Sequence, residues 1–395
     1  MSTNAFDRRQ FVKAMGATAL GSTAAGLPLS ALANEALKIW TIGVAKVGKA
    51  PGTGGKSWDD MAAQAGIKIA YSAKSGSADQ AIQKFIVGDG NKLYDAITDN
   101  GGGMEDALAS QKAIVEIDTS RIENWSKLLS IYGEGEPGTD TIRFNDKVFS
   151  VPYISNADSL AYNRDAVGSD LDSWEALFDS QFRGRAAMQN DFGPTFTNTA
   201  IYLKQSGKQD IENPSDMTEA EVKGVAEFLI DLKKKGHFRT FWDGFQNGVD
   251  LLASEEVLVS SCWEPVQIVA AKKSQKNIVY GTMKEGHQTW NNIWMLTKGG
   301  KERGMEDDFY KLMNLYLSPW FGARTLLTFG FAPQMDGILD YVKTAEEFDD
   351  TMRSTIQTRL TNKQARYKVA GNSWQNVFPK QLRAYQDWWA KVQAA

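Results

Sequence analysis

A single cysteine, Cys262, and only two histidines, His237 and His287, in 395 residues exclude two common ways of bracing a chain. A lone thiol closes no intramolecular disulfide, and a Cys/His zinc site lacks its ligands. No cofactor or metal is expected, so stability has to come from a buried core, for which 42% apolar residues suffice. Beyond the N-terminal segment no apolar run approaches the ~18 residues that a membrane span needs. Basic clusters are also missing: Lys and Arg number 44 against 48 Asp and Glu, for a net charge of −4, and nucleic acid is not an expected partner. No Gly-x-Ser-x-Gly elbow and no Gly-x-x-x-x-Gly-Lys-Ser/Thr phosphate loop is present, so no catalytic residues are assigned. Internal repeats and low-complexity linkers are absent too, and composition alone marks no domain boundary.

The N-terminus carries Asp7-Arg8-Arg9-Gln10-Phe11-Val12-Lys13 ahead of a weakly apolar run from Ala14 to Leu32. Paired arginines followed by such a run read as a twin-arginine export signal. Gly16, Gly21, Gly26 and Pro28 make the run a poor membrane span, and Ala31-Leu32-Ala33 is a small-x-small cleavage site. Residues 1–33 are therefore expected to be removed after the twin-arginine translocase has carried the chain across. With no cysteine near the cleavage site to take a lipid, the expectation is a freely diffusing, monomeric periplasmic protein.

Along the remaining chain, Ala36 to Ile42 alternates as a first strand, Ile67 to Tyr71 reads as a second, and Asp79 opens a helix ending at Gly88. Tyr94 to Asp99 is then a strand running into Gly101-Gly102-Gly103. This βαβ rhythm predicts an α/β fold with a mostly parallel sheet and ligands beyond the carboxyl ends of its strands. Val148 to Tyr153 and Ser159 to Tyr162 read as strands that carry the chain from one lobe to the next. Arg185 to Met188, Val257 to Ser261 and Ile293 to Leu296 are further strands. Thr218 with Glu221 forms a capping box, and Lys233-Lys234-Lys235 suits the C-terminus of the helix it opens. Asp307 to Leu317, Trp320 to Phe329 and Lys380 to Trp389 read as helices.

Several segments then occur in a telling order: Val151-Pro152-Tyr153, Leu160-Ala161-Tyr162-Asn163, Ser173 to Asp179, Phe182-Arg183-Gly184-Arg185, Lys284-Glu285-Gly286 before Trp290, Gly330-Phe331-Ala332-Pro333, and Ser373-Trp374-Gln375-Asn376. Together they resemble the spermidine/putrescine-binding branch of the extracellular solute-binding proteins that serve ABC importers. The resemblance implies a two-lobed, type II-like periplasmic-binding fold, with a ligand cleft at the hinge and permease subunits at the inner membrane as partners. It places lobe one at 34–158 plus 292–341, and lobe two at 159–291 plus 342–395.

The same resemblance puts Trp40, Asp99, Asp191, Trp263, Trp290, Phe331 and Gln375 at ligand-contacting positions. An aromatic face attracts a desolvated cation by about 2 kcal/mol, and a carboxylate neutralises the charge that burial makes costly. Two departures bear on the ligand. Asn292 stands where an acidic anchor is expected, with Glu264 as an alternative source of charge. Gly101-Gly102-Gly103 replaces an aromatic partner, and is either a flexible turn or a set of amides open to a carboxylate or phosphate. A polyamine and an amine with a polar or anionic tail both remain open. The alternatives are a binding protein of this architecture for a metal ion or an anion, and a periplasmic enzyme.

Overall fold

The computed structural model describes residues 36–41, 55–74, 78–129, 132, 141–368, 373–375 and 377–395, with backbone alone at 71–74, 78–79 and 373–375. The export signal and its cleavage site lie outside the described residues. From Ala36 onward the chain forms one compact unit built on two mixed sheets.

In the first sheet β1 (Leu37–Thr41) lies between β2 (Ile69–Lys74) and β3 (Ala96–Asn100), parallel to both. A hairpin of β4 (Arg143–Phe144) and β5 (Lys147–Val148) leads to β6 (Val151–Ala157). The second sheet has the order β11 (Ile278–Tyr280), β7 (Ser159–Asn163), β10 (Val259–Cys262), β8 (Ala186–Gln189), β9 (Phe238–Trp242). The long strand β12 (His287–Leu296) returns to the first sheet, antiparallel to β3 on one side and β6 on the other, and its first residues pair with β13 (Ser373–Gln375). Every residue of β6 and β7 is buried; β7 lies between β11 and β10, whereas β6 pairs with β12 alone.

Alternation along β1 divides the first lobe's core. Leu37 and Ile39 face a cluster with Trp58, Tyr153, Trp294, Tyr316 and Phe321, whereas Trp40 faces the opposite cluster with Phe85, Ile97 and Ile293. Tyr316 sits amid that first group, 4.4 Å from Trp58, 4.8 Å from Trp294 and 4.8 Å from Tyr153 between ring centroids. The second lobe has its own core under helices Phe192–Gln205, Glu219–Lys234 and Leu382–Ala394, including Phe196, Leu229 and Trp389. The Thr218/Glu221 capping box forms. Lys233, in the last turn of that helix, donates to the carbonyls of Val392 at 2.8 Å and Gln393 at 2.6 Å.

Among the described residues three crossings join the lobes. Asp158 alone separates β6 from β7, and residues 281–286 separate β11 from β12. These two crossings are stitched together: the Asp158 N–H donates to Gln288 O at 2.8 Å, and His287 Nδ1 lies 2.8 Å from the Asp158 carbonyl. His287 Nε2 accepts from Met283 N–H at 3.0 Å, so the proton sits on Nδ1. Burial pushes the ring pKa down to about 3, and His287 is a neutral structural bolt. The expected lobe boundaries were 291/292 and 341/342. The backbone enters the first sheet at His287, and helix Asp350–Tyr367 packs through Ile356 and Leu360 onto Ala323 and Leu326 of helix Pro319–Phe329. The third crossing therefore follows β13, where Phe378 N–H donates to Gly102 O and Lys380 pairs with Asp216 at 2.7 Å.

Candidate functional site

The carboxyl ends of β8 and β10 and the Asp158 crossing converge on the boundary between the lobes. Asp158 is 1% exposed. Its Oδ1 accepts from Trp290 Nε1 at 2.7 Å, and among the described residues no Lys or Arg pairs with it. Burial, reinforced by the charge of Asp191, pushes its pKa up to about 7. Gln189, the last residue of β8, lies beside this carboxyl without closing a hydrogen bond of ordinary geometry. Asp191 is the N-cap of helix Phe192–Gln205, accepting from Gly193 N–H at 2.9 Å. It is solvent-exposed, yet desolvation raises its pKa.

Aromatic side chains flank these carboxyls. Trp290 stands edge-on to Phe331 with centroids 5.1 Å apart. Trp263, at the N-cap of helix Glu264–Ser274, stands edge-on to Trp242 at 5.5 Å and touches apolar clusters of both lobes. The structure thus gathers Trp263, Trp290 and Phe331 at the lobe boundary, with Asp158 bonded to Trp290 and Asp191 near it.

Glu264 is differently placed. Its carboxylate is buried and accepts from Arg366 Nη2 at 2.7 Å, while the Arg366 guanidinium lies 4.8 Å over the Tyr280 ring. Lys363, on the same helix, donates to Ser155 O at 2.6 Å and Asn156 Oδ1 at 3.1 Å, and burial pushes its pKa down to about 7. The charge of Glu264 is therefore already answered from within, as part of an ion pair joining the second lobe to helix Asp350–Tyr367. Asn292 donates to the Asn100 side chain directly across the β3–β12 ladder.

Trp40 and Asp99 occupy the other face of the first sheet. The Trp40 ring packs 5.2 Å from Tyr94 and 6.0 Å from Phe85, and its Nε1 has no partner. Asp99 accepts from Asn100 N–H at 2.7 Å through Oδ1, leaves Oδ2 unbonded, and is pushed up to about 7 by burial. The side chain of Gln375 lies outside the described residues.

The glycine run resolves its two readings. Gly102 and Gly103 adopt φ of 122° and 133°, which side-chain-bearing residues rarely tolerate. Their N–H groups both donate to Glu105 Oε1 at 3.0 Å, and Gly101 N–H donates to Asn291 O at 2.9 Å. These amides are not open to an anion, because the Glu105 carboxyl already accepts from them. Burial raises Glu105 to about 8.

Sequence reasoning missed Asp158, Gln189, Lys363 and Arg366. For Asp158 a signal existed: one acidic residue interrupts two apolar strands where the chain was expected to change lobes. Two surface depressions of the second lobe carry less. One of about 300 Å³ is lined by Asn247 and by Asp250 and Lys273, already paired with each other at 2.5 Å, and one of about 400 Å³ by Ser173 and Glu285, bonded together. No helix among the described residues is long and apolar enough to cross a membrane.

Known structures share this architecture. A spermidine/putrescine ABC transporter substrate-binding protein from Streptococcus pneumoniae, in complex with calcium and HEPES, superposes with a TM-score of 0.67 at 14% identity, covering 91% of this chain and 99% of that one. The Tp0655 lipoprotein of Treponema pallidum gives 0.63 at 17%, covering 90% and 98%. The binding protein MotA of A. tumefaciens in complex with glucopine gives 0.62 at 16%, covering 91% and 100%. At such identities these matches establish the two-lobed periplasmic-binding fold. The family model described as bacterial extracellular solute-binding protein matches residues 56–352, most of the chain. A two-lobed fold matched by that model over such a length belongs to the bacterial extracellular solute-binding protein family, whose members bind solutes and are not enzymes.

Proposed function

We propose that the solute taken by this substrate-binding component of an ABC transporter is a small cationic amine. It is held between the lobes by the aromatic faces of Trp263, Trp290 and Phe331, with Asp158 and Asp191 as counter-charges. Asn292 and Gln375 remain the proposed contacts from the first lobe, Trp40 and Asp99 standing on the other face of its sheet, and export by the twin-arginine route would deliver the protein to the periplasm. The observation that carries this reading is Asp158, a buried carboxyl with no cationic side chain against it among the described residues. An ion buried without a partner is costly, and a ligand ammonium supplies the missing charge. Glu264 is not counted as an anchor, since Arg366 already neutralises it. With fewer free carboxylates than a polyamine requires, a mono- or dication is favoured over spermidine.

The test is calorimetric titration of the mature protein with alkyl amines, diamines, spermidine, carboxylates and neutral sugars. Amines should bind with saturable heat, and Trp263→Ala and Asp191→Ala should each weaken them. Tight binding of an uncharged sugar unaffected by Asp191→Ala, or nanomolar spermidine binding, would overturn the reading.

A further inference from the structure

Helix Asp350–Tyr367 is bolted to the first lobe and reaches into the second. On the first-lobe side Arg359 donates to the carbonyls of Leu326 at 2.8 Å and Leu327 at 2.7 Å. Lys363 holds Ser155 and Asn156 of β6, and Tyr367 O–H donates to Asn156 O at 2.9 Å. Arg366 crosses to the other side. Its buried guanidinium pairs with Glu264 at 2.7 Å and covers the Tyr280 ring at 4.8 Å. Both partners belong to the second lobe: helix Glu264–Ser274 packs through Val266 and Ala270 onto Trp242 and Val249, and Tyr280 lies on β11. The Glu264 side chain rests in turn on the first lobe, since a Cβ at Gly330 would meet its Cδ at 2.6 Å. Each lobe thus presents one charged group to the other, and both groups are buried at the joint.

We propose that the Glu264–Arg366 pair is an inter-lobe latch that sets the fraction of ligand-free protein in the closed arrangement, Arg366 supplying the charge without which Glu264 resists closure. Two-lobed binding proteins open and close about the segments that join their lobes, and opening brings a group at the joint into water. With the pair intact, closure buries two charges that answer each other. With Arg366 neutral, closure buries the Glu264 carboxylate without a partner, which is strongly unfavourable. Loss of one partner therefore drives opening, whereas neutralising both removes the penalty. A solute held only by the closed form binds with an apparent affinity reduced in proportion to the closed fraction. That reduction is the same for every such solute, which separates a latch from a residue that touches the ligand.

The readout needs no solute. Spin labels on Val87→Cys in the first lobe and Lys223→Cys in the second, both at exposed positions, report the inter-lobe distance by double electron–electron resonance, and the fully buried Cys262 stays unlabelled. In the ligand-free mature protein, Arg366→Gln should move the larger share of the distance distribution to longer separations. Glu264→Gln/Arg366→Gln should return it toward the wild-type distribution. A pair with a structural role alone would lower the thermal transition of Arg366→Gln and leave the distance unchanged, and that result overturns the latch. Opening that persists undiminished in the double variant also overturns it, because the unpaired carboxylate is then not the cause. So does a wild-type distribution already at the long separation. If Arg366→Gln does not fold, Glu264→Gln leaves Arg366 as the unpaired ion and should open the lobes in the same way. Failure of both single variants to fold counts against the latch, since opening would have relieved the charge.

Discussion

Affinity for an amine should rise with pH across neutrality, and Asp158 fixes both the direction and the size. Its pKa in the free protein is about 7, whereas an alkylammonium keeps its charge throughout this range. At pH 6 roughly nine-tenths of the Asp158 carboxyls are protonated and at pH 8 about one-tenth. If the ammonium binds only the carboxylate form, the apparent Kd is about 10-fold weaker at pH 6 than at pH 8. Binding below neutrality should also release nearly one proton, measurable by titration in two buffers of different ionisation enthalpy. The groups facing Asp158 do not mask this: Trp290 does not titrate, burial keeps Cys262 and Tyr280 neutral well above their ordinary pKa values, and Asp191 shifts in the same direction as Asp158. Stability without ligand follows the opposite sign. The folded pKa of Asp158 lies above its unfolded value of 3.8, so the folded state holds the extra proton and this group's contribution is lost as pH rises toward 7. Asp158→Asn should flatten the pH dependence of binding, while Asp99→Asn reports any parallel contribution from the other face. An unchanged slope in Asp158→Asn, or tighter amine binding at pH 6, refutes the reasoning.

Other perturbations test the frame. Glu264→Leu leaves Arg366 buried without its partner and should cost about 3–5 kcal/mol in urea unfolding, most of it recovered in the Glu264→Leu/Arg366→Met double variant; an equally unstable double variant would show that the pair is not the source. Gly184 and Gly330 share a φ of 73°, but a Cβ at Gly330 would meet Glu264 Cδ at 2.6 Å and one at Gly184 meets nothing within 4 Å. Gly330→Ala should therefore lower the melting temperature more than Gly184→Ala, since backbone strain is common to both. Asn292→Asp should shift calorimetric preference toward polyamines, and unchanged selectivity counts against a first-lobe contact there. Arg8→Lys with Arg9→Lys should leave the precursor in the cytoplasm, as read by fractionation; normal periplasmic accumulation removes the twin-arginine assignment.

Where apolar periodicity was clean, the sequence foretold the element to within a few residues: β1, β3, β7 and the capped helix Glu219–Lys234 all stand close to their expected places. Helix Asp350–Tyr367 escaped notice because its buried residues are Ile356, Leu360, Lys363 and Arg366, half of them cationic, which gives no apolar stripe to read. The lobe division built on the resemblance inherits that gap, since the helix belongs with Pro319–Phe329. For the site, Trp263, Trp290 and Phe331 came from the resemblance, and the structure brings these three to one side of the first sheet. The pairing of Glu264 with Arg366 spans 102 residues, and no local pattern encodes a contact of that range. The glycine run was ambiguous for a similar reason: only the fold shows that Glu105 turns back onto it.

Cys262 ends β10 with its side chain fully buried, its carbonyl accepting from Tyr280 O–H at 2.8 Å and its thiol kept protonated by burial. It behaves as a small apolar residue that happens to contain sulfur. Both cores are consequently completed by packing alone, with no covalent step that depends on an oxidant or an isomerase. A reducing compartment has no cross-link to remove from this protein and an oxidising one has no second thiol to join to it, so the order in which folding and membrane passage occur is not dictated by redox chemistry.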